Sequence, residues 1–118
     1  MKLRIWRNSL RLRLSQSEVA QLASGGRVEE AIEFSGGWRL RYAVDAADGA
    51  RAIGARFEDG LIEVFVLRAS ARSWAESNDV GLYDDAQLQI AVEKDFRCVT
   101  ASESENDPDA YPNPAKSC

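Results

Sequence analysis

Along "SLRLRLS" apolar and charged positions alternate, with Leu10, Leu12 and Leu14 on one side and Arg11 and Arg13 on the other. A period of two marks a strand that buries one face. The alternation stops at "SQSE", Ser15 to Glu18. This is the S-x-x-E form of a capping box, in which a Ser hydroxyl and a Glu carboxylate each satisfy a backbone N–H left free at a helix start. Val19, Leu22 and Ala23 supply a short apolar stripe, and Gly25-Gly26 ends the predicted helix.

In "RVEEAIEFSGGWRLRYAV" the turn decides the register of two strands. A two-residue Gly-Gly turn sets Phe34 against Arg39, whereas a three-residue Ser35-Gly36-Gly37 loop sets Phe34 against Trp38, Ile32 against Leu40 and Val28 against Val44. The longer loop is favoured because it gathers the apolar residues on one face and places Glu33 opposite Arg39 on the other. It also leaves Glu30 on the apolar side, opposite Tyr42. A second hairpin turns at Asp59-Gly60, setting Phe57 against Ile62, Ala55 against Val64, Ile53 against Val66 and Arg56 against Glu63. Phe65 and Leu67 on its other face predict cover on both sides and a place near the sheet centre.

"RASARSWAES" reads as a short helix burying Ala71, Trp74 and Ala75, and "NDVGLYDD" as a turn-rich connection. The last strand alternates through Leu88, Ile90 and Val92, and its parity puts Lys94, Phe96 and Cys98 inward and Glu93, Asp95 and Arg97 outward. The expected architecture is α+β: about six or seven mainly antiparallel strands in one curved or partly closed sheet, with two short helices, over residues 1–99. Residues 100–118 form an acidic, proline-containing tail with too little apolar content to fold alone. Beyond the two hairpins no internal repeat is visible.

A chain of 118 residues with 45% hydrophobic content can bury one core without disulfides or metals. No apolar run reaches the roughly 18 residues that a membrane span requires, so the expectation is a soluble, cytoplasmic protein with no membrane partner. The net charge is −4, of which the tail holds −3 through Glu103, Glu105, Asp107 and Asp109 against Lys116. The first thirteen residues, by contrast, carry Lys2, Arg4, Arg7, Arg11 and Arg13 and no acid. Histidine is absent, which removes the commonest general base and the commonest metal ligand.

Four groups of residues could carry chemistry. If residues 1–14 form a hairpin around Arg7 and Asn8, Arg4 falls opposite Arg11 and Lys2 opposite Arg13, like charges in register that destabilise a sheet unless acids or an anion meet them. With Lys94 these give an anion-binding set of Arg4, Arg11, Arg13 and Lys94. An inward lysine needs a partner, and Glu30, with Tyr42 opposite it, forms the candidate buried polar group. Cys98 and Cys118 are two free thiols, a tail-closing disulfide, or part of a thiol or metal site; two cysteines without histidine fall short of four zinc ligands. In "DPDAYPNP", Tyr111 either packs back on the domain or meets a partner together with Asp107 and Asp109.

The segments "NSLRLRLSQSEVAQL", "VEEAIEF", "FEDGLIEVFV", "VEKDFRC" and "DAYPNP" with a final Cys resemble, in order and over nearly the whole chain, a family of short uncharacterised bacterial proteins. The resemblance implies common ancestry and a bacterial source, brings no catalytic residues, and makes the tail part of the design. By the family pattern Lys-Gly is expected where this chain has Trp6-Arg7. The leading functional expectation is a small non-enzymatic binding or accessory protein with no cofactor. A protein partner and a small anion both remain open, and no base-stacking platform speaks for nucleic acid. The alternatives are an enzyme or carrier for an anionic, phosphate-bearing small molecule, with Glu30 or Glu93 as the acid/base group, and a thiol or metal site at Cys98 and Cys118.

Overall fold

The computed structural model describes residues 1–49, 51–97 and 108–112; Cys98, Asp107 and Cys118 lie outside the described residues. In chain order the elements are β1 (Lys2–Ile5), β2 (Ser9–Leu14), α1 (Gln16–Ala23), β3 (Arg27–Glu33), β4 (Arg39–Ala47), β5 (Ile53–Glu58), β6 (Leu61–Leu67), α2 (Arg68–Ala75), β7 (Gly81–Asp85) and β8 (Gln89–Lys94). Each successive pair of strands is an antiparallel hairpin, and the registers of β3 with β4 and of β5 with β6 are those the apolar pattern demands: Val28 faces Val44, Ile32 faces Leu40, Phe57 faces Ile62 and Arg56 faces Glu63. Phe34 N–H donates to Trp38 O across the Ser35–Gly37 turn at 2.8 Å.

The expectation of one curved or partly closed sheet of six or seven strands is incorrect. The described residues form eight strands in two separate four-stranded sheets, ordered β1-β2-β8-β7 and β3-β4-β6-β5, so the fold is mostly β with two short helices. The strand at "GLYDD", read from sequence as a connection, is β7, which pairs Tyr83 with Ala91 of β8. β5 lies at a sheet edge, not at the centre; β6 takes the inner place. At the centre of each sheet is a parallel pair, β2 with β8 and β4 with β6. Hairpin signals are local and antiparallel, so neither the parallel pairs nor the split into two sheets could be read from them.

The order hairpin–helix–hairpin occurs twice. Exchanging the two halves carries the sheet β1-β2-β8-β7 into β5-β6-β4-β3, the second sheet. Equivalent positions supply the core: Leu12 and Val64, Leu14 and Val66, Val19 and Ala71, Leu22 and Trp74, Val92 and Val44, none of them more than 2% exposed. α1 and α2 pack on each other and against strands of both sheets. Where Val19 shrinks to Ala71, Leu22 grows to Trp74, which keeps the filled volume similar. Across β1, β2 and α1 the matched residues coincide only at Arg4 with Arg56 and Ala23 with Ala75, which is why the sequence hides the repeat.

Both helix ends near the exit of β8 are closed by side chains and by the tail. Ser15 and Glu18 form the expected capping box. The remaining free N–H groups of α1 are taken by the tail: Gln16 N–H donates to Asp109 O at 3.0 Å and Ser17 N–H to Asp109 Oδ2 at 3.1 Å. Tyr111 pairs with the chain just after β8, donating to Asp95 O and accepting from Arg97 N–H, both at 2.7 Å, and its ring packs 5.6 Å from that of Phe96.

The two equivalent tight turns both carry a left-handed residue, Arg7 at φ 52° and Asp59 at φ 51°. Aspartate tolerates that region, but arginine is strained in it, and position 7 is where the family pattern leads one to expect glycine. Arg7 recovers part of the cost by stacking over Trp6 at 4.7 Å. Arg7→Gly is expected to be more stable than Arg7→Ala by about 1 kcal/mol in urea unfolding, because both lose the stacking contact and only glycine releases the strain. Equal stabilities would contradict a left-handed turn at this position.

Candidate functional site

Strand parity sends Leu3, Leu10, Leu12, Leu14, Ile90 and Val92 of the first sheet into the core, and so turns Lys2, Arg4, Arg11, Arg13, Ala91 and Glu93 outward. The conditional pairing of the sequence analysis is realised, with Arg4 opposite Arg11 and Lys2 opposite Arg13. A groove of about 510 Å³ opens on this face, lined among others by Arg4, Trp6, Arg11, Tyr83, Asp84, Asp85 and Gln89. Trp6 and Tyr83, 62% and 59% exposed, give it aromatic walls.

The acids on this face are fewer than the bases they meet. Lys2 pairs with Asp95 at 2.8 Å, while Glu93 alone faces both Arg11, at 3.1 Å, and Arg13, at 3.9 Å. The Arg11 Nε–H is buried and not aimed at the carboxylate, so this contact is electrostatic without a formed hydrogen bond. Arg4 makes no ion pair with any described residue. Glu93 also accepts a hydrogen bond from Tyr83 at 2.8 Å. Burial, then that bond and the carboxylate's charge, push the Tyr83 phenol up to about 12.

The second sheet provides an internal comparison. The position equivalent to Arg4 is Arg56 and that equivalent to Arg11 is Glu63, so a like-charge pair on one sheet corresponds to a 2.7 Å ion pair on the other. Arg27, whose counterpart is Gly81, clamps Asp45, Glu63 and Glu29 together. Its hydrogen bond holds Glu63 below the usual carboxylate range, burial raises Asp45, and Arg41 and Arg39 pair with Glu29 and Glu33. This network of Arg27, Asp45 and Glu63 was missed in the sequence, since it joins strands that meet only through the parallel β4–β6 pair; the Arg56–Glu63 register was its one local sign. It leaves the second outer face closed by its own charges.

The other sequence candidates are placed as follows. Lys94 points inward, away from the arginines, at the position equivalent to Ala46; it is 5% exposed and donates to Ser77 O at 2.6 Å, just past α2. Its ammonium lies 5.8 Å from the Trp74 ring and 5.5 Å from the Tyr111 ring. A cation there satisfies a carbonyl beyond the C-terminal end of α2, a structural role. Glu30 does face Tyr42, but its charged partner is the Met1 amino group at 3.6 Å, which also binds Glu18 at 2.7 Å; Glu30 and Lys94 are not brought together. Tyr42 donates to Met1 O at 3.4 Å. Tyr111 and Asp109 belong to the docked tail segment. Among the described residues no group of acids or cysteines is arranged to hold a metal ion, and no helix is long and apolar enough to cross a membrane.

Because the folded Tyr83 lies above the ordinary tyrosine value of about 10, its neutral form is the stabilising one. That contribution is complete below pH 10 and is lost as pH rises through about 12. Glu93→Gln removes the carboxylate charge, so the tyrosinate absorbance assigned by its loss in Tyr83→Phe is expected to appear at lower pH in Glu93→Gln than in the parent. An unchanged midpoint would show that Glu93 does not act on the phenol.

No curated protein and no solved structure matches the chain. A family model described as a family of unknown function, DUF7009, matches residues 1–115, and the chain belongs to that family.

Proposed function

We propose that this chain is a small non-enzymatic binding or accessory protein of bacteria, and that the outer face of the first sheet takes an anionic group of its ligand. The observation that carries this reading is the direct register of Arg4 and Arg11 along a groove of about 510 Å³, with no acid paired to Arg4. Like charges facing across two strands cost stability, and a phosphate or carboxylate bridging the two guanidinium groups turns that cost into charge-assisted hydrogen bonds. Trp6 and Tyr83 provide flat apolar walls for the rest of the ligand.

Binding is favoured over catalysis because the two acid/base candidates of the sequence, Glu93 and Glu30, are already engaged; Asp84 and Asp85 line the groove beside Tyr83. Glu93 is held by Arg11 and Tyr83, and Glu30 lies with the Met1 amino group on another face. The bacterial setting rests on the sequence resemblance alone.

Thermal unfolding with inorganic phosphate, pyrophosphate and nucleotides tests the reading. An anion present at about 100 times its Kd adds about 2.7 kcal/mol, on the order of 10 °C in Tm for a chain of this size. The double variant Arg4→Gln/Arg11→Gln is expected to keep its fold and lose the shift. No shift with any of these anions in the parent protein would overturn the proposal.

A further inference from the structure

The two halves build the same core, but their second hairpins differ in length. β7 ends at Asp85, where its counterpart β3 runs on to Glu33 and the chain continues through Phe34 to Trp38 before β4. That extension is not needed to close the core, and it leaves apolar side chains uncovered. Trp38 is 76% exposed, Phe34 56% and Ile32 44%. Register places Ile32 beside Leu40, Tyr42 beside Ile62 and Ile62 beside Phe57, itself 68% exposed, so these residues form one continuous face on the core-facing side of the second sheet.

We propose that this face is a homodimer interface, occupied by the same face of a second copy of the chain. Two features favour a second copy. The face is apolar around Trp38, Phe34, Ile32 and Phe57, and Glu30, which shares its parity, already meets the Met1 amino group at 3.6 Å, so it offers a charged partner little to pair with. With aromatic side chains presenting 150–250 Å² each, the four exposed residues offer on the order of 500 Å² per chain. Two copies together then bury about 1,000 Å², the level at which specific interfaces begin. The edge of β3 carries Glu29, Glu30 and Glu33, which disfavours edge-to-edge strand addition, so the contact is made by the face.

Sedimentation equilibrium from micromolar to millimolar chain concentration tests this. The parent protein is expected to approach twice the mass of one chain, and Trp38→Glu to weaken association by about thirtyfold or more, as loss of a central aromatic anchor does. Trp6→Glu, on the turn of the first sheet, is expected to leave the dimer intact. Trp38 lies outside the core, and circular dichroism checks that the variant is folded; if it is not, Phe57→Glu on a different strand puts the same question. A parent protein that stays at one chain mass throughout overturns the proposal and gives the face to a different protein or to another part of this chain. A dimer that persists in the folded variant, or is lost in Trp6→Glu, overturns it as well.

Discussion

Two parallel strand pairs, β2 with β8 and β4 with β6, hold the molecule together. Each hairpin is a local structure that forms from near neighbours in sequence, but an isolated two-stranded hairpin is marginal in water. Only the parallel pairs join hairpins into four-stranded sheets, and each joins a strand of the first half to a strand of the second. Neither half therefore completes a sheet by itself. The residues at these seams are the least exposed in the chain, Leu12 against Val92 and Val44 against Val64, all at 0%. The helices then pack on each other and on the sheets, and Lys94 and Asp109 satisfy backbone groups near their ends.

The internal repeat also bears on function. Equivalent positions experience similar geometry, so a difference in residue type between the two sheets is a difference in chemistry that the fold does not require. On the second outer face Arg56, Glu63, Arg27, Asp45 and Glu29 neutralise one another. On the first, the place of Glu63 is held by Arg11 and that of Arg27 by Gly81, and Arg4 makes no ion pair with any described residue. Gly81 is the exception, where the fold does require the difference: a Cβ would meet Val92 O at 2.7 Å and Glu93 Cγ at 2.8 Å, so no side chain fits under the Tyr83–Glu93 pair. Belonging to a family of unknown function adds no chemistry to this, so the contrast between the two faces is the physical ground for placing a ligand on one of them.

What was legible in the sequence follows from range. The Phe34–Trp38 turn, the Arg56–Glu63 register and the capping box of Ser15 and Glu18 are set by residues a few positions apart, and they appear as read. The parallel pairs and the split into two sheets depend on partners far along the chain, whereas the strand at Gly81–Asp85 pairs locally, Asp85 with Gln89, across a connection of Ala86, Gln87 and Leu88 that holds no glycine, asparagine or proline to announce a turn. Among site residues, parity alone put Arg4, Arg11 and Arg13 on one face and Lys94 on the other. It could not say that the inward lysine would find Ser77 O, because α2 reaches that point only in the folded chain. Glu30 was assigned to Lys94 as the one strand acid of inner parity; its charged partner, the Met1 amino group, lies 29 positions away and comes close only through folding.

The central claim is that two equivalent outer faces differ in whether their arginines remain available to an anion. Nitrogen-15 spectra of the arginine Nε–H groups during titration with inorganic phosphate compare the faces within one sample. The account predicts saturable movement of the Arg4 and Arg11 resonances while Arg27 and Arg56, already held by carboxylates, stay in place. Stationary Arg4 and Arg11 resonances, or equal movement of all four, would contradict it.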